Sequence, residues 1–210
     1  MSAPPNLIFE VNAVSKLLNL LRAPETKRVT VIGLGISNLP LVEYLLALGG
    51  CQITVRDKKK PDFSNPRISA LRDAGVNFCC GENYLENIEA DILFRSPGVR
   101  PWEAGIAAAV KAGALLTSEM ELFFSLCPCP ILGVTGSDGK TTTTTLLSLL
   151  LRGAGRRVFV GGNIGEPLLP HLSEMRAEDF AVVELSSFQL YTMRQSPAVA
   201  VITNLAPNHL

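Results

Sequence analysis

Residues Gly133–Thr145 read GVTGSDGKTTTTT. The stretch follows Ile131 and Leu132, which start a short apolar run with the character of a buried strand. It leads into LLSLLL, Leu146 to Leu151, which continues as a helix. A strand, a glycine-bearing loop and a helix in that order cradle phosphates. Glycines let backbone N–H groups turn toward phosphate oxygens, and the positive end of the following helix adds a favourable field. Lys140 brings a point charge to the outer phosphates, and Thr141 stands where a hydroxyl reaches a magnesium ion bridging the β- and γ-phosphates. In the usual GxxxxGK[ST] pattern the first glycine would fall at Val134, whereas the glycines here are Gly133, Gly136 and Gly139, which marks a variant loop. A glycine-rich turn with a surface lysine is the competing reading, but GKT between an apolar strand and a helix rarely arises by chance. The threonine run Thr141–Thr145 has poor helix propensity, so tertiary packing must hold it helical.

Upstream, the chain alternates helix and strand. LIFEVNAVSKLLNLL, residues 7–21, has helical spacing and ends before Pro24, and packing on its own domain is the preferred reading over docking to a partner. VTVIGLGISN, from Val29, predicts a strand, a glycine turn and the helix LPLVEYLLAL, closed by Gly49 and Gly50. The strand QITVRD comes next and ends in Asp57, near the position where a Rossmann-type unit keeps an acidic residue for a ribose. Asn38 replaces the third glycine of GxGxxG, so the dinucleotide fingerprint is incomplete and another ligand is favoured over NAD. Helices are expected over 66–74, around 82–89, over EAGIAAAVKAG and over EMELFFSL, with strands at VNFCC, DILFRSPG and ALLTS. Such alternation predicts a mostly parallel sheet covered on both faces, in an α/β fold.

CPCP, Cys127 to Pro130, is the expected boundary, because two prolines cannot continue a helix. The second unit carries the phosphate loop, the strands RVFVGG, AVVELSS and VAVITNL, and a polar helix near 167–175. Two or three strands of this sheet are expected, fewer than an independent sheet usually has, which points to a piece of a longer protein. Glu184 interrupts an apolar strand near its carboxyl end, where a buried carboxylate needs a partner and magnesium is the natural one. The competing reading turns it to solvent at a strand edge. His209 follows another strand end and could face the same cleft, although a histidine there is more often a surface residue.

Bulk properties narrow the function classes. Of the 210 residues 47% are hydrophobic and 18% charged, a globular balance, and Lys plus Arg equals Asp plus Glu at 19 each. A chain without net charge has no field to gather nucleic acid or an anionic membrane, so a small-molecule site is expected. The five cysteines lack CxxC spacing and read as small buried residues of a reducing cytoplasm. No membrane span and no secretory signal are expected.

In order along the chain, GLGIS, RSPG, VTGSDGKTT, GGNIG, ELSSFQL and NLAPNHL resemble the Mur ligases of bacterial cell-wall synthesis over about residues 28–210. ELSSFQL resembles the branch that adds D-glutamate. The helical extension over 1–27 exceeds what the family usually has before its first strand; the resemblance implies an N-terminal Rossmann-like parallel-sheet domain over 28–126 holding the UDP part of the substrate, and a P-loop α/β ATPase domain from 127 to 210, incomplete here. A third domain that binds the amino acid would lie beyond Leu210, together with the family's carbamylated lysine, so the chain alone is expected not to ligate. Ile36, Ser37, Asp57, Lys58, Ser96 and Gly98 would contact the uridine diphosphate, and Asn163 and Ser186 the muramoyl-alanine part. Gly136, Ser137, Asp138, Gly139, Lys140, Thr141 and Thr142 would bind ATP, with Mg2+ held by Thr141, and with Glu184 and His209 at a second metal site. Lys140, Glu184 and His209 are the implied catalytic residues. Asp138 stands where the family often has asparagine, and Asn208 where an acidic residue is common. The implied substrates are UDP-N-acetylmuramoyl-L-alanine and D-glutamate, and the implied enzyme is a cytoplasmic monomer. The alternative is a non-catalytic UDP-sugar or nucleotide-binding module.

Overall fold

The computed structural model describes residues 12–23 and 25–207, with side chains from Leu17 onward. Residues 7–11 of the expected 7–21 helix, as well as Asn208 and His209, lie outside the described residues. Helix α1 (Asn12–Leu21) packs on its own chain, with Leu17 and Leu21 buried in a cluster that includes Met120 and Phe123.

Strand β1 (Lys27–Ile32), helix α2 (Asn38–Leu48), β2 (Cys51–Asp57), α3 (Pro66–Asp73), β3 (Asn77–Cys80), β4 (Ile92–Arg95), α4 (Ala104–Lys111) and β5 (Leu115–Thr117) build a five-stranded sheet in the order β3-β2-β1-β4-β5. Every pairing in it is parallel. Its central strands are apolar on both faces, with Val29, Val31, Ile32 and Ile92–Phe94 almost fully buried, as a sheet covered by helices on both sides requires. The strand order reverses between β1 and β4, and the loops leaving their carboxyl ends bound the crevice where open α/β sheets take ligands.

Helix α5 (Glu119–Leu126), capped by Ser118, which accepts from the Glu121 amide, leads through the CPCP segment to the second sheet. That sheet holds β6 (Ile131–Thr135), β7 (Val158–Gly162), β8 (Phe180–Glu184) and β9 (Val199–Ile202) in the order β7-β8-β6-β9, again all parallel. The two or three strands expected here are corrected to four. Helix α6 (Lys140–Gly153) covers one face of the sheet, and the short α7 (Ser187–Leu190) comes after β8. The threonine run is helical for a visible reason. Thr144 is fully buried under the sheet, and the Thr145 hydroxyl donates to the Thr141 carbonyl at 2.8 Å. One apolar cluster joins the two sheets, running from Leu17 and Phe123 to Ala181 and Val183.

Two expected helices are corrected. Residues 82–85 form a turn and 86–89 continue without regular structure, because the Arg56 guanidinium donates to the carbonyls of Tyr84 (3.1 Å), Glu86 (2.7 Å) and Asn87 (3.0 Å). A helix would use those acceptors itself. Asn87, with φ at 49°, ends the run. The polar helix near 167–175 is a 3₁₀ helix, Leu169–Glu174, entered through the buried Leu168 and Leu169. The strand reading of AVVELSS runs too far, since Ser186 caps α7 in a box with Gln189 and the strand stops at Glu184.

Candidate functional site

Strand β6 ends at Thr135 and α6 begins at Lys140, and the four residues between them form the phosphate-loop candidate. Gly139 caps α6 in a left-handed conformation, φ 78°, and Gly136 has φ 141°. A methyl group on Gly136 would collide with the Thr203 hydroxyl, so this glycine is required both by conformation and by space. The chain leaving β9 binds the loop from outside. The Asp138 amide donates to Asn204 Oδ1 at 2.9 Å, the Ser137 amide to the Asn204 carbonyl at 3.2 Å, and the Thr203 hydroxyl to the Asp138 carbonyl at 2.5 Å. Ser137 Oγ donates to the Ala206 carbonyl and accepts from the Ala206 amide, both at 2.8 Å. Replacing Gly136 by alanine is expected to destabilise the chain by about 1–3 kcal/mol, read as a lower denaturant midpoint. It should also weaken nucleotide binding in calorimetry.

Lys140 folds over this loop, its Nζ donating to the carbonyls of Gly136 (2.8 Å) and Ser137 (2.9 Å). Thr141, one residue on, donates through Oγ1 to Glu184 Oε2 at 2.7 Å. Glu184 is buried at the end of β8, and its other oxygen accepts from Asn163 Nδ2 at 2.8 Å. The reading of Glu184 as a solvent-facing edge residue therefore fails. Asn163 reaches it because β7 ends in Gly161 and Gly162, whose backbones pass so close to Glu166 and Glu184 that a side chain on either would clash with a carbonyl. Ser186 accepts from the Gln189 amide and lines an open cleft of about 530 Å³ with Lys140, Asn163 and Phe188. Lys140, Thr141, Asn163, Glu184 and Ser186 are thus brought to one corner. Asp138, Gly139 and Thr142 lie exposed beside it at the start of α6.

The second group of expected residues gathers around the β1–β4 crevice. Asp57 accepts from the backbone amides of Leu34 (2.8 Å) and Lys59 (2.9 Å), which ties the β1 and β2 loops together. It also borders a small cavity of about 200 Å³ with Leu34, Lys59, Lys60 and Phe78. Gly33, at φ 81°, passes so close to Ser96 that a side chain there would press on it. Ile36 is exposed, Ser37 precedes α2, and Gly98 lies exposed in the turn after β4. Lys58 instead forms a surface ion pair with Glu82 at 3.2 Å. Asn38, where the dinucleotide fingerprint has glycine, is buried and donates to the carbonyls of Ile32 and Gly33. Its amide fastens the β1 turn in place of a ligand contact.

Sequence reasoning passed over Arg95. It is 2% exposed and donates to the carbonyls of Ser96 (3.1 Å), Pro97 (3.1 Å) and Val99 (2.6 Å) in the turn after β4. It also donates to the Phe188 carbonyl (3.0 Å) and Thr192 Oγ1 (3.2 Å) in the second unit. It opens the quoted RSPG stretch, but an arginine at a strand end gives no local sign that its side chain is buried. The capping-box signature at Ser186 and Gln189 could have revealed α7.

Residues 27–118 match the family described as Mur ligase MurD-like, N-terminal domain, and residues 134–210 match the Mur ligase middle domain. The UDP-N-acetylmuramoylalanine--D-glutamate ligase of Acetivibrio thermocellus is 47% identical over 197 residues, 93% of this chain and 42% of that protein. The enzyme of the same name from Clostridium novyi is 46% identical over 185 residues, 88% of this chain and 40% of that protein. The chain therefore spans about two fifths of the length of these curated relatives. In fold it is similar to the UDP-N-acetylmuramate:L-alanyl-gamma-D-glutamyl-meso-diaminopimelate ligase from Neisseria meningitides, with a TM-score of 0.50 and 21% identity, covering 88% of this chain and 62% of that one. It is likewise similar to the UDP-N-acetylmuramate-alanine ligase from Thermotoga maritima, with a TM-score of 0.50 and 19% identity, covering 87% of this chain and 42% of that one. With two consecutive Mur ligase domain matches and nearly half its residues shared with such enzymes, the chain belongs to the Mur ligase family.

Proposed function

We propose that this chain supplies the sugar-nucleotide and ATP-binding parts of a cytoplasmic ligase that adds D-glutamate to UDP-N-acetylmuramoyl-L-alanine. The single observation that carries the reading is the corner where Lys140, Thr141, Asn163 and Glu184 meet at the end of the phosphate loop. The identity to the two D-glutamate ligases supports the choice of substrate. The domain limits rest on the same reading, with the sugar-nucleotide part over 28–126 and the ATP part from 127. Among the described residues no helix is long and apolar enough to cross a membrane.

The residues present fit a magnesium nucleotide. A hydroxyl, a buried carboxylate and a side-chain amide offer hard oxygen donors, the set magnesium takes, beside the open cleft that Lys140 and Asn163 line. Thr141 and Glu184 would hold the metal, which neutralises charge developing on the transferred phosphoryl group. With a nucleotide bound, Lys140 would exchange its two loop carbonyls for phosphate oxygens, and the positive end of α6, which starts at Lys140, would add a favourable field. The reaction this serves is attack of the alanyl carboxylate on the γ-phosphorus, which breaks the bond to the β-phosphate and releases ADP to leave an acyl phosphate; the D-glutamate amine then attacks the acyl carbon, losing a proton and expelling phosphate to form the amide. Positioning and electrostatics are most of what such a transfer needs.

The experiment is phosphate release by the chain joined to the further sequence its relatives carry. ATP, UDP-N-acetylmuramoyl-L-alanine and D-glutamate should together release phosphate, and L-glutamate in place of D-glutamate should not. Turnover with L-glutamate or L-lysine but not D-glutamate would overturn the assignment. The 210 residues alone should bind nucleotide and turn nothing over.

A further inference from the structure

Arg95 is an expensive residue to bury. A guanidinium removed from water loses several kcal/mol of hydration unless a carboxylate repays it, and an apolar side chain of similar size often serves stability better. Here all five partners are neutral oxygens, and Nε has no partner. Glu121 is near enough to favour the charge, but its oxygens accept from Thr117 Oγ1 and the Arg194 amide.

What the arrangement achieves is geometric. One rigid fork holds the turn after β4, in the first unit, and the segment from α7 to Thr192, in the second. The same two segments meet again at the surface, where the rings of Trp102 and Tyr191 lie 5.0 Å apart. Gln195 Nε2 extends the seam by donating to the Glu121 carbonyl at 3.0 Å and to Ser125 Oγ at 2.9 Å. The turn carries Ser96 and Gly98, and Ser186 caps α7, so the fork fixes the spacing between surfaces proposed to hold opposite ends of one substrate.

We infer that Arg95 is a positioning residue for the sugar nucleotide: it locks the turn after β4 to α7, so that the diphosphate and the muramoyl-alanine ends of one ligand are gripped at once. The inference rests on the proposed ligase reading. A ligand that spans both units gains from a preset spacing, because no ordering cost is left for the moment of binding. A ligand that touches one unit gains nothing.

The test compares UDP with UDP-N-acetylmuramoyl-L-alanine by calorimetry on the wild type and on Arg95→Met. Three of the five bonds hold the turn itself, so UDP affinity should fall as well, but affinity for the whole sugar nucleotide should fall about 10- to 100-fold further, the range for losing hydrogen bonds made by a charged donor. Arg95→Lys, which can satisfy only part of the fork, should fall between the two. Thr192→Val removes one inter-unit acceptor without disturbing the first unit, and should lower only the sugar-nucleotide affinity, by a few-fold. This variant keeps the test open if Arg95→Met does not fold. Equal losses for both ligands, or no loss for either, overturn the positioning role. Absence of UDP binding in the wild type overturns the ligase reading, and the inference with it.

Discussion

Changing Lys140 to alanine should weaken ATP binding about tenfold or more, and lower phosphoryl transfer by about 10²–10³, the scale for removing one preorganised charge from a transfer site. Uridine nucleotide affinity should not change. The separation comes from placement: Lys140 sits on the loop after β6, while the β1–β4 crevice and Asp57 belong to the other sheet. The fold should survive, because Lys140 is only partly buried and its amine touches nothing outside its own loop. Calorimetry with ATP and with UDP on the same preparation checks this. Equal loss of both affinities would mean that the two ligands do not occupy separate units. Glu184→Gln is the companion test, since it keeps the shape while removing the negative charge facing Thr141.

Glu119→Gln should change how stability depends on pH. Glu119 is 5% exposed at the first turn of α5, one of its oxygens has no partner, and burial pushes its carboxyl from the ordinary 4.5 up to about 8. The folded chain therefore keeps the proton between about pH 4.5 and 8, while the unfolded chain releases it. Stability is full below pH 4.5, falls as pH rises through this window, and levels off above 8, at up to ~1.4 kcal/mol per pH unit. Urea unfolding at pH 5.5 and 7.5 should show the wild type losing up to about 3 kcal/mol more than Glu119→Gln over those two units. Burial also raises the Glu121 carboxyl, but that group is present in both proteins and cancels in the comparison. Parallel pH profiles would mean that the Glu119 carboxylate is already ionised in the folded state.

Most of the architecture was legible because it depends on neighbours in sequence. Apolar strands such as ILFR and VTVI, glycine stops such as Gly49, and the CPCP break announce themselves within a few residues. The phosphate loop was legible for the same reason, as its glycines, lysine and threonine are contiguous. What could not be read depends on distant partners. Residues 82–89 look helical until Arg56, in β2, takes their carbonyls. Asn38 looks like a lost glycine until its amide is found against the end of β1. Asp57 looks like a ribose ligand, yet its oxygens also bind two backbone amides. Arg95 carries no local signal for the five oxygens that meet it, two of which lie more than ninety residues away.

The clasp of residues 203–206 on the phosphate loop has a consequence for the chain as it is made. Ser137 and Asp138 take their shape from Asn204 and Ala206, which leave the ribosome 66 to 69 residues later. A nascent chain that has reached β8 already owns every residue of the GSDGKT sequence and the Lys140 and Glu184 contacts on it, yet Ser137 and Asp138 lack their outer partners until β9 docks beside β6. Nucleotide capture during synthesis must therefore wait for β9, and ATP added to stalled nascent chains should protect the loop from protease only once Ala206 has emerged.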